Sequence, residues 1–199
     1  MKGDGAMTFG QELIDACLTA LSAPDGVVSP LVRQVAAHLA GQMARHGGAV
    51  FRDFSVQASA PLLGKLISRP EGRAPSQLCV TDNAVSALIR VQTAYPGALA
   101  PDTSTFIGQF LLPGLPVISD EAEINHVTAF LMQNYNPSAV WAQAVLSALI
   151  TVKVTPSASV HLKPEVAEAL RHCLRDHLSK SPAKDRILSA LTPEEISRL

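Results

Sequence analysis

Apolar positions recur along most of this chain at spacings of three and four, the mark of helices that bury one face. Leu31, Val35, Leu39 and Met43 repeat at i+4. Val140, Trp141, Ala144, Val145, Ala148, Leu149 and Val152 form a broader stripe, and Val166, Leu170, Cys173, Leu174 and Leu178 carry the same pattern. Ser29-Pro30, Asn136-Pro137, Ser181-Pro182 and Thr192-Pro193 each set a capping side chain before a proline, which suits a helix start because proline lacks an N–H that would have no partner there. Thr192 is followed at i+3 by Glu195, a capping box, and Asp120 with Glu123 is a weaker version of the same device. Breaks fall at Gly47-Gly48, Pro70-Glu71-Gly72, Tyr95-Pro96-Gly97 and Pro113-Gly114-Leu115-Pro116. These signals predict helices over 9–22, 30–46, 50–69, 76–95, 102–112, 120–135, 137–153, 164–179 and 183–198, the last with a split at Thr192-Pro193.

Every second helix from the second onward starts near 30, 76, 120 and 164, so a two-helix unit repeats with nearly constant length. A unit of about 40–47 residues is that of HEAT-type arrays, in which one pair cannot bury its apolar face alone and neighbours stack to cover it. The expectation is an all-α protein, a HEAT-repeat α-solenoid of about four to five helical pairs. It runs as a single array over 9–199 after a flexible N-terminal end at 1–8. A helical bundle with evenly spaced loops is the alternative. Composition agrees with either: 28 Ala and 24 Leu against 5% aromatic residues favour helix over strand.

Charge and cysteine content narrow the function classes. With 47% hydrophobic and 17% charged residues, the chain can bury a core, unlike a disordered tail. A formal net charge of -1 and scattered Lys and Arg argue against a dedicated nucleic-acid binder and for protein partners. Cys17, Cys79 and Cys173 are far apart with no CxxC pair, which reads as reduced thiols. The richest apolar stretch, 139–154, is interrupted by Gln143, Ser147 and Lys153 and falls short of the roughly 20 apolar residues that cross a bilayer. The opening Met1-Lys2-Gly3-Asp4-Gly5-Ala6 has no apolar core of a signal peptide. The expectation is a protein without a membrane segment.

Candidate chemistry is sparse. His172, Cys173, Asp176 and His177 offer metal-capable atoms, but Cys173 belongs to the apolar stripe and the four do not converge on one face as a closed zinc site requires. No nucleophile elbow, phosphate loop or HExxH occurs, and Gly64-Lys65 sits among Leu62, Leu63, Leu66 and Ile67 inside a helix. No enzyme activity, metal or cofactor is expected. Asp82 and Asn83 either cap their helix together with Thr81 or face a partner. Asp120, Glu121 and Glu123 complement the positive end of a helix or meet a basic protein. Trp141 and Tyr135 flank Asn136-Pro137 and pack between helices.

The stretch Cys79-Val80-Thr81-Asp82-Asn83-Ala84-Val85-Ser86-Ala87-Leu88-Ile89-Arg90 resembles a helix of the karyopherin-β (importin-β) nuclear transport receptors, in particular the large importins that carry ribosomal proteins and histones. Leu115-Pro116, Asp120-Glu121-Ala122-Glu123, Phe130-Leu131 and Asn136-Pro137 follow in that family's order, and the segment Ile187 to Glu195 is similar to its closing helix. The resemblance covers roughly 30–199. It implies the C-terminal HEAT repeats of a receptor that shuttles between cytoplasm and nucleus, with cargo, basic in that branch, held on inner helices: here 50–69, 102–112, 137–153 and 183–198. It also implies outer grooves that accept phenylalanines of FG nucleoporins, where Ala142 and Ala144 leave room. Binding of the Ran GTPase belongs to N-terminal repeats that have no counterpart here. Asp82, Asn83, Asp120, Glu121, Glu123 and Trp141 are the candidate partner-binding residues. A helical scaffold unrelated to transport is the competing expectation.

Overall fold

The computed structural model describes residues 4–199. Those residues form eleven α-helices joined by short 3-10 and π-helical turns, with no strand among them. Their contacts divide the chain into two compact units, Met1–Leu99 and Ala100–Leu199.

The first unit contains α1 (Asp4–Ser22), α2 (Pro30–His46), α3 (Ala60–Ser68) and α4 (Leu78–Ala94). The start of α1 lies five residues before the expected one, and residues 1–3 of the expected flexible end lie outside the described residues. At the start of α2, Ser29 Oγ accepts a hydrogen bond of 3.3 Å from the Val32 N–H, and Pro30 occupies the first helical position. Between α2 and α3 the chain keeps a helical path through a 3-10 turn, Gly48–Phe51, and a π-helical turn, Phe54–Ser59. The expected single helix 50–69 is therefore three segments of different winding.

The centre of this unit is the crossing of α2 on α4, the most extensive helix contact of the molecule. Ala36, Ala37, Ala40, Gly41 and Ala44 of α2 are buried there. A methyl group on Gly41 would stand 2.9 Å from the Ala87 Cα, so the two backbones approach too closely for any larger residue. Alanine-rich sequence thus does more than favour helix: it sets the distance between the axes. α1 packs on α2, and α3 packs on α4. α4 is buried from Val80 to Gln92 on every face, polar residues included.

The second unit begins with α5 (Thr103–Phe106), whose N-cap Asp102 accepts from the Thr105 N–H at 2.8 Å. It continues as a π-helical turn, Ile107–Leu111, and a 3-10 turn, Leu112–Gly114. Then come α6 (Glu121–Gln133), α7 (Ala142–Val154), α8 (Pro156–Ser159), α9 (Pro164–Leu178), α10 (Lys184–Ser189) and α11 (Pro193–Ser197). α6 and α7 each pack on α9 and on each other. Phe106, Ile107, Leu111, Ile124, Leu146, Leu149, Ile150 and Leu170 are fully buried. Phe106 stacks on Phe110 and meets Phe130 edge-on.

Two start signals act differently from expectation. Asn136-Pro137 opens a turn: Asn136 Oδ1 accepts from the Ser138 N–H at 3.0 Å, and α7 starts only after Trp141. Ser181-Pro182 likewise makes a turn, Ser181 Oγ accepting from the Ala183 N–H, and α10 starts at Lys184. Asn and Ser side chains bind their own backbone two residues on as readily as they cap, and the tertiary setting selects between the two. Thr192-Pro193 does divide the last helix. There Thr192 Oγ1 accepts from the Glu195 N–H at 3.2 Å while Glu195 Oε2 accepts from the Thr192 N–H at 2.8 Å.

Candidate functional site

A surface groove lies in the second unit, between the turn that follows α6 and the end of α9. It measures about 470 Å³ and is lined by Tyr135, Pro137, Val140, His177, Lys180 and Pro182, with small residues between them. Local sequence builds it in three steps. Asn134 ends α6, its Nδ2 donating to the Phe130 carbonyl at 2.8 Å. The Asn136-Pro137 turn then reverses the chain. Trp141 anchors the far side of that turn: it is 7% exposed, and its Nε1–H donates to the Ser104 carbonyl at 3.0 Å and reaches Ser104 Oγ at 3.2 Å. Gly108 faces the indole so closely that a Cβ there would lie 3.1 Å from Trp141 Cδ1.

Aromatic rings face one another across this turn. The Tyr135 and His177 rings are 4.6 Å apart and tilted, and Tyr135 meets Trp141 edge-on at 6.4 Å. Burial, followed by the nearby Cys173, pushes the Tyr135 phenol above its ordinary value, so it stays a neutral donor. Cys173 is itself pushed up, by burial and then by Asp176. Val140 stands wholly in solvent at the rim. Apolar walls, two prolines, ring faces and one ammonium group suit an aromatic side chain of a peptide.

The six residues singled out in the sequence do not come together. Asp82 has no exposed surface, and Asn83 is 2% exposed. Asp82 lies 4.0 Å from Arg73, and Asn83 Nδ2 donates back to the Cys79 carbonyl at 2.8 Å. α4 begins at Leu78, upstream of both, and the neighbouring Thr81 hydroxyl donates to the Gly72 carbonyl at 2.7 Å, so the expected cap at Thr81-Asp82 is instead a tie to the preceding turn. Asp120 caps α6, its Oδ1 accepting from the Ala122 and Glu123 N–H groups at 3.0 and 3.2 Å. Glu123 is fully buried. Glu121 is exposed and pairs with His161 at 3.0 Å. Of the six, Glu121 is exposed and Asp120 half-buried, and only these two offer polar surface to a partner.

His172 contacts Glu168 at 3.2 Å and His177 faces Tyr135, so the metal-capable residues of α9 point to separate neighbours. No group of three His, Cys, Asp or Glu converges as metal ligands among the described residues. Nor is any described helix long and apolar enough to cross a membrane. The groove around Tyr135 had one legible signal, the aromatic pair flanking Asn136-Pro137. The contribution of His177, more than forty residues later in the chain, had none. No family model matches this chain, and no curated protein matches it.

Proposed function

We propose that this protein is a non-catalytic array of HEAT-type helix pairs that binds other proteins, of the kind found in the C-terminal part of importin-β-type receptors. The observation that carries the reading is the contact between first helices of successive pairs. α2 packs on α4 in the first unit, and α6 packs on α9 in the second, as stacking of consecutive repeats requires. The starts of these helices, at Pro30, Leu78, Glu121 and Pro164, are 48, 43 and 43 residues apart, close to the length of a HEAT unit.

Two surface properties suit such a role. The groove at Tyr135 and His177 has the size and lining for a phenylalanine of an FG-type peptide. From Val91 to Val152 the sequence holds no Lys or Arg, and the exposed Asp102 and Glu121 with the half-buried Asp120 give that stretch an acidic surface that complements a basic cargo. The compartments that go with this role are the cytoplasm and the nucleus.

The test is binding of synthetic FG-repeat peptides to the whole chain, followed by Trp141 fluorescence. Binding that is lost when the peptide phenylalanines are replaced by serine, and weakened at least fivefold in Val140→Asp, supports transport. Val140 is free of packing, so that variant keeps the fold. No binding of FG peptides, together with none of a lysine-rich ribosomal-type peptide, overturns the proposal and leaves a helical scaffold.

A further inference from the structure

A second cleft, in the first unit, has a chemistry that protein transport does not call for. It measures about 260 Å³ and opens between the α1–α2 connection, α2 and α3. Its floor is apolar, from Leu21, Leu62 and Leu66, and its cationic wall comes from Arg33, Lys65 and Arg69. Arg33 is 2% exposed. Its Nη1 donates to Asp25 Oδ1 at 2.6 Å, and its Nη2 to the Ala23 and Pro24 carbonyls at 2.6 and 3.2 Å. Arg69 Nη1 donates to the same Asp25 oxygen at 2.8 Å, and its Nη2 to Gln77 Oε1 at 3.1 Å. The buried Nε of both arginines has no hydrogen-bond acceptor. Glu71 lies 3.6 Å from the Arg69 Nε, outside that range.

Three cations here face two carboxylates, Asp25 and Glu71, which leaves a surplus of one positive charge beside an apolar pocket. Lys65 is exposed at the mouth, on the face of α3 between Leu62 and Arg69. Both Nε atoms are shut off from solvent, so an anion in the cleft is drawn by the surplus charge and the exposed Lys65 ammonium rather than by those N–H groups. The surplus matches a monoanion; a dianionic phosphoryl group would bring more charge than the cleft neutralises. The volume lies below that of ordinary small-molecule sites and admits about one side chain.

We propose that this cleft captures the C-terminal residue of a peptide that ends in leucine or a similar branched apolar residue. The terminal carboxylate sits against Lys65 and the arginine pair, and the side chain sits on Leu21, Leu62 and Leu66. Terminal carboxylate capture is a known mode of peptide recognition, in which charge gives orientation and a pocket gives selectivity. The inference does not depend on the transport reading, since it concerns a different unit and a different ligand.

The experiment uses the 199-residue chain and fluorescein-labelled octapeptides of mixed sequence ending in leucine, read by fluorescence polarisation. The expected result is saturable binding of the free acid, at least tenfold weaker binding of the C-terminal amide, and similar weakening when the last residue is serine. Lys65→Gln should lower the affinity of the acid several-fold with an unchanged far-ultraviolet circular dichroism spectrum, and Lys65→Arg should restore it. Free leucine should compete weakly and inorganic phosphate should not. Equal binding of acid and amide, no effect of Lys65→Gln, stronger competition by phosphate, or no binding of any leucine-terminated acid up to millimolar concentration would each overturn the proposal.

Discussion

The two units reach a buried core with a different balance of small and large residues. In the first, α2 and α4 are long and uninterrupted and meet through alanine and Gly41, so close backbone approach and α4's complete burial do most of the packing. In the second, no helix is as long as α2 or α4, and large residues such as Phe106, Ile124 and Leu149 fill the space. Small residues set a fixed distance that tolerates little change. Large ones make a jigsaw whose pieces each carry more energy. The surfaces follow suit: α9 buries chiefly Leu170 and Leu174 and turns its charged face outward, whereas α4 has almost no outward face.

Truncation of a large residue should separate the units most sharply. Phe106→Ala is expected to cost about 3–5 kcal/mol, and Leu88→Ala in α4 about 2–5 kcal/mol, with slowed-exchange amides lost mainly in the unit that carries the change. Hydrogen exchange resolves this. Equal loss of protection over both units from either variant would erase the distinction.

Glycine offers the next contrast. Gly41→Ala places a methyl group 2.9 Å from the Ala87 backbone and is expected to destabilise by about 1–3 kcal/mol despite alanine's better helix propensity. At Gly64 nothing lies within 4 Å of a new Cβ, so Gly64→Ala should stabilise by up to about 1 kcal/mol. Urea midpoints of the two variants should therefore move in opposite directions. Movement in the same direction would mean that α2 and α4 are not held by close approach.

In the second unit, Trp141→Phe keeps the ring packing but removes the donor to Ser104. A loss of about 1–2 kcal/mol is expected, followed by circular dichroism since the only tryptophan is gone. An unchanged midpoint would show that the indole N–H contributes nothing to the turn that shapes the groove.

The smallest effects are those of pH on the first unit. The Arg33 hydrogen bond, followed by the charge of Arg69, holds the Asp25 carboxyl below its ordinary value of 3.8. A lowered folded value means that stability from this group is present above pH 3.8 and is lost as pH falls through the folded value. Asp25→Asn should flatten the decline in urea midpoint below pH 4. Burial pushes the Cys17 thiol up from 9.0 to about 11, against the weaker opposing effect of a backbone hydrogen bond. A raised folded value means that its contribution is intact below pH 9.0 and disappears as pH rises through about 11. Cys17→Ala should abolish that alkaline slope, and at pH 8 a thiol reagent should modify Cys17 far more slowly in the folded protein than in urea.

Helix content and the caps at Ser29, Asp120 and Thr192 were legible in the amino-acid order, because they depend on neighbours within one turn. The same order misread Asn136-Pro137 and Ser181-Pro182, where a local side-chain bond can close a turn as easily as it can cap a helix. It also read Asp82, Asn83 and Glu123 as candidates for a surface, since polar residues are seldom buried. Their enclosure depends on how many helices cover α4 and α6, which no local pattern encodes. The Tyr135–His177 contact and the meeting of Asp25 with Arg69, forty or more residues apart in each case, arise only when the helices pack. Periodicity along a chain specifies which face of a helix seeks cover. Which residues supply that cover is settled by packing in three dimensions, where close contact is a property of pairs.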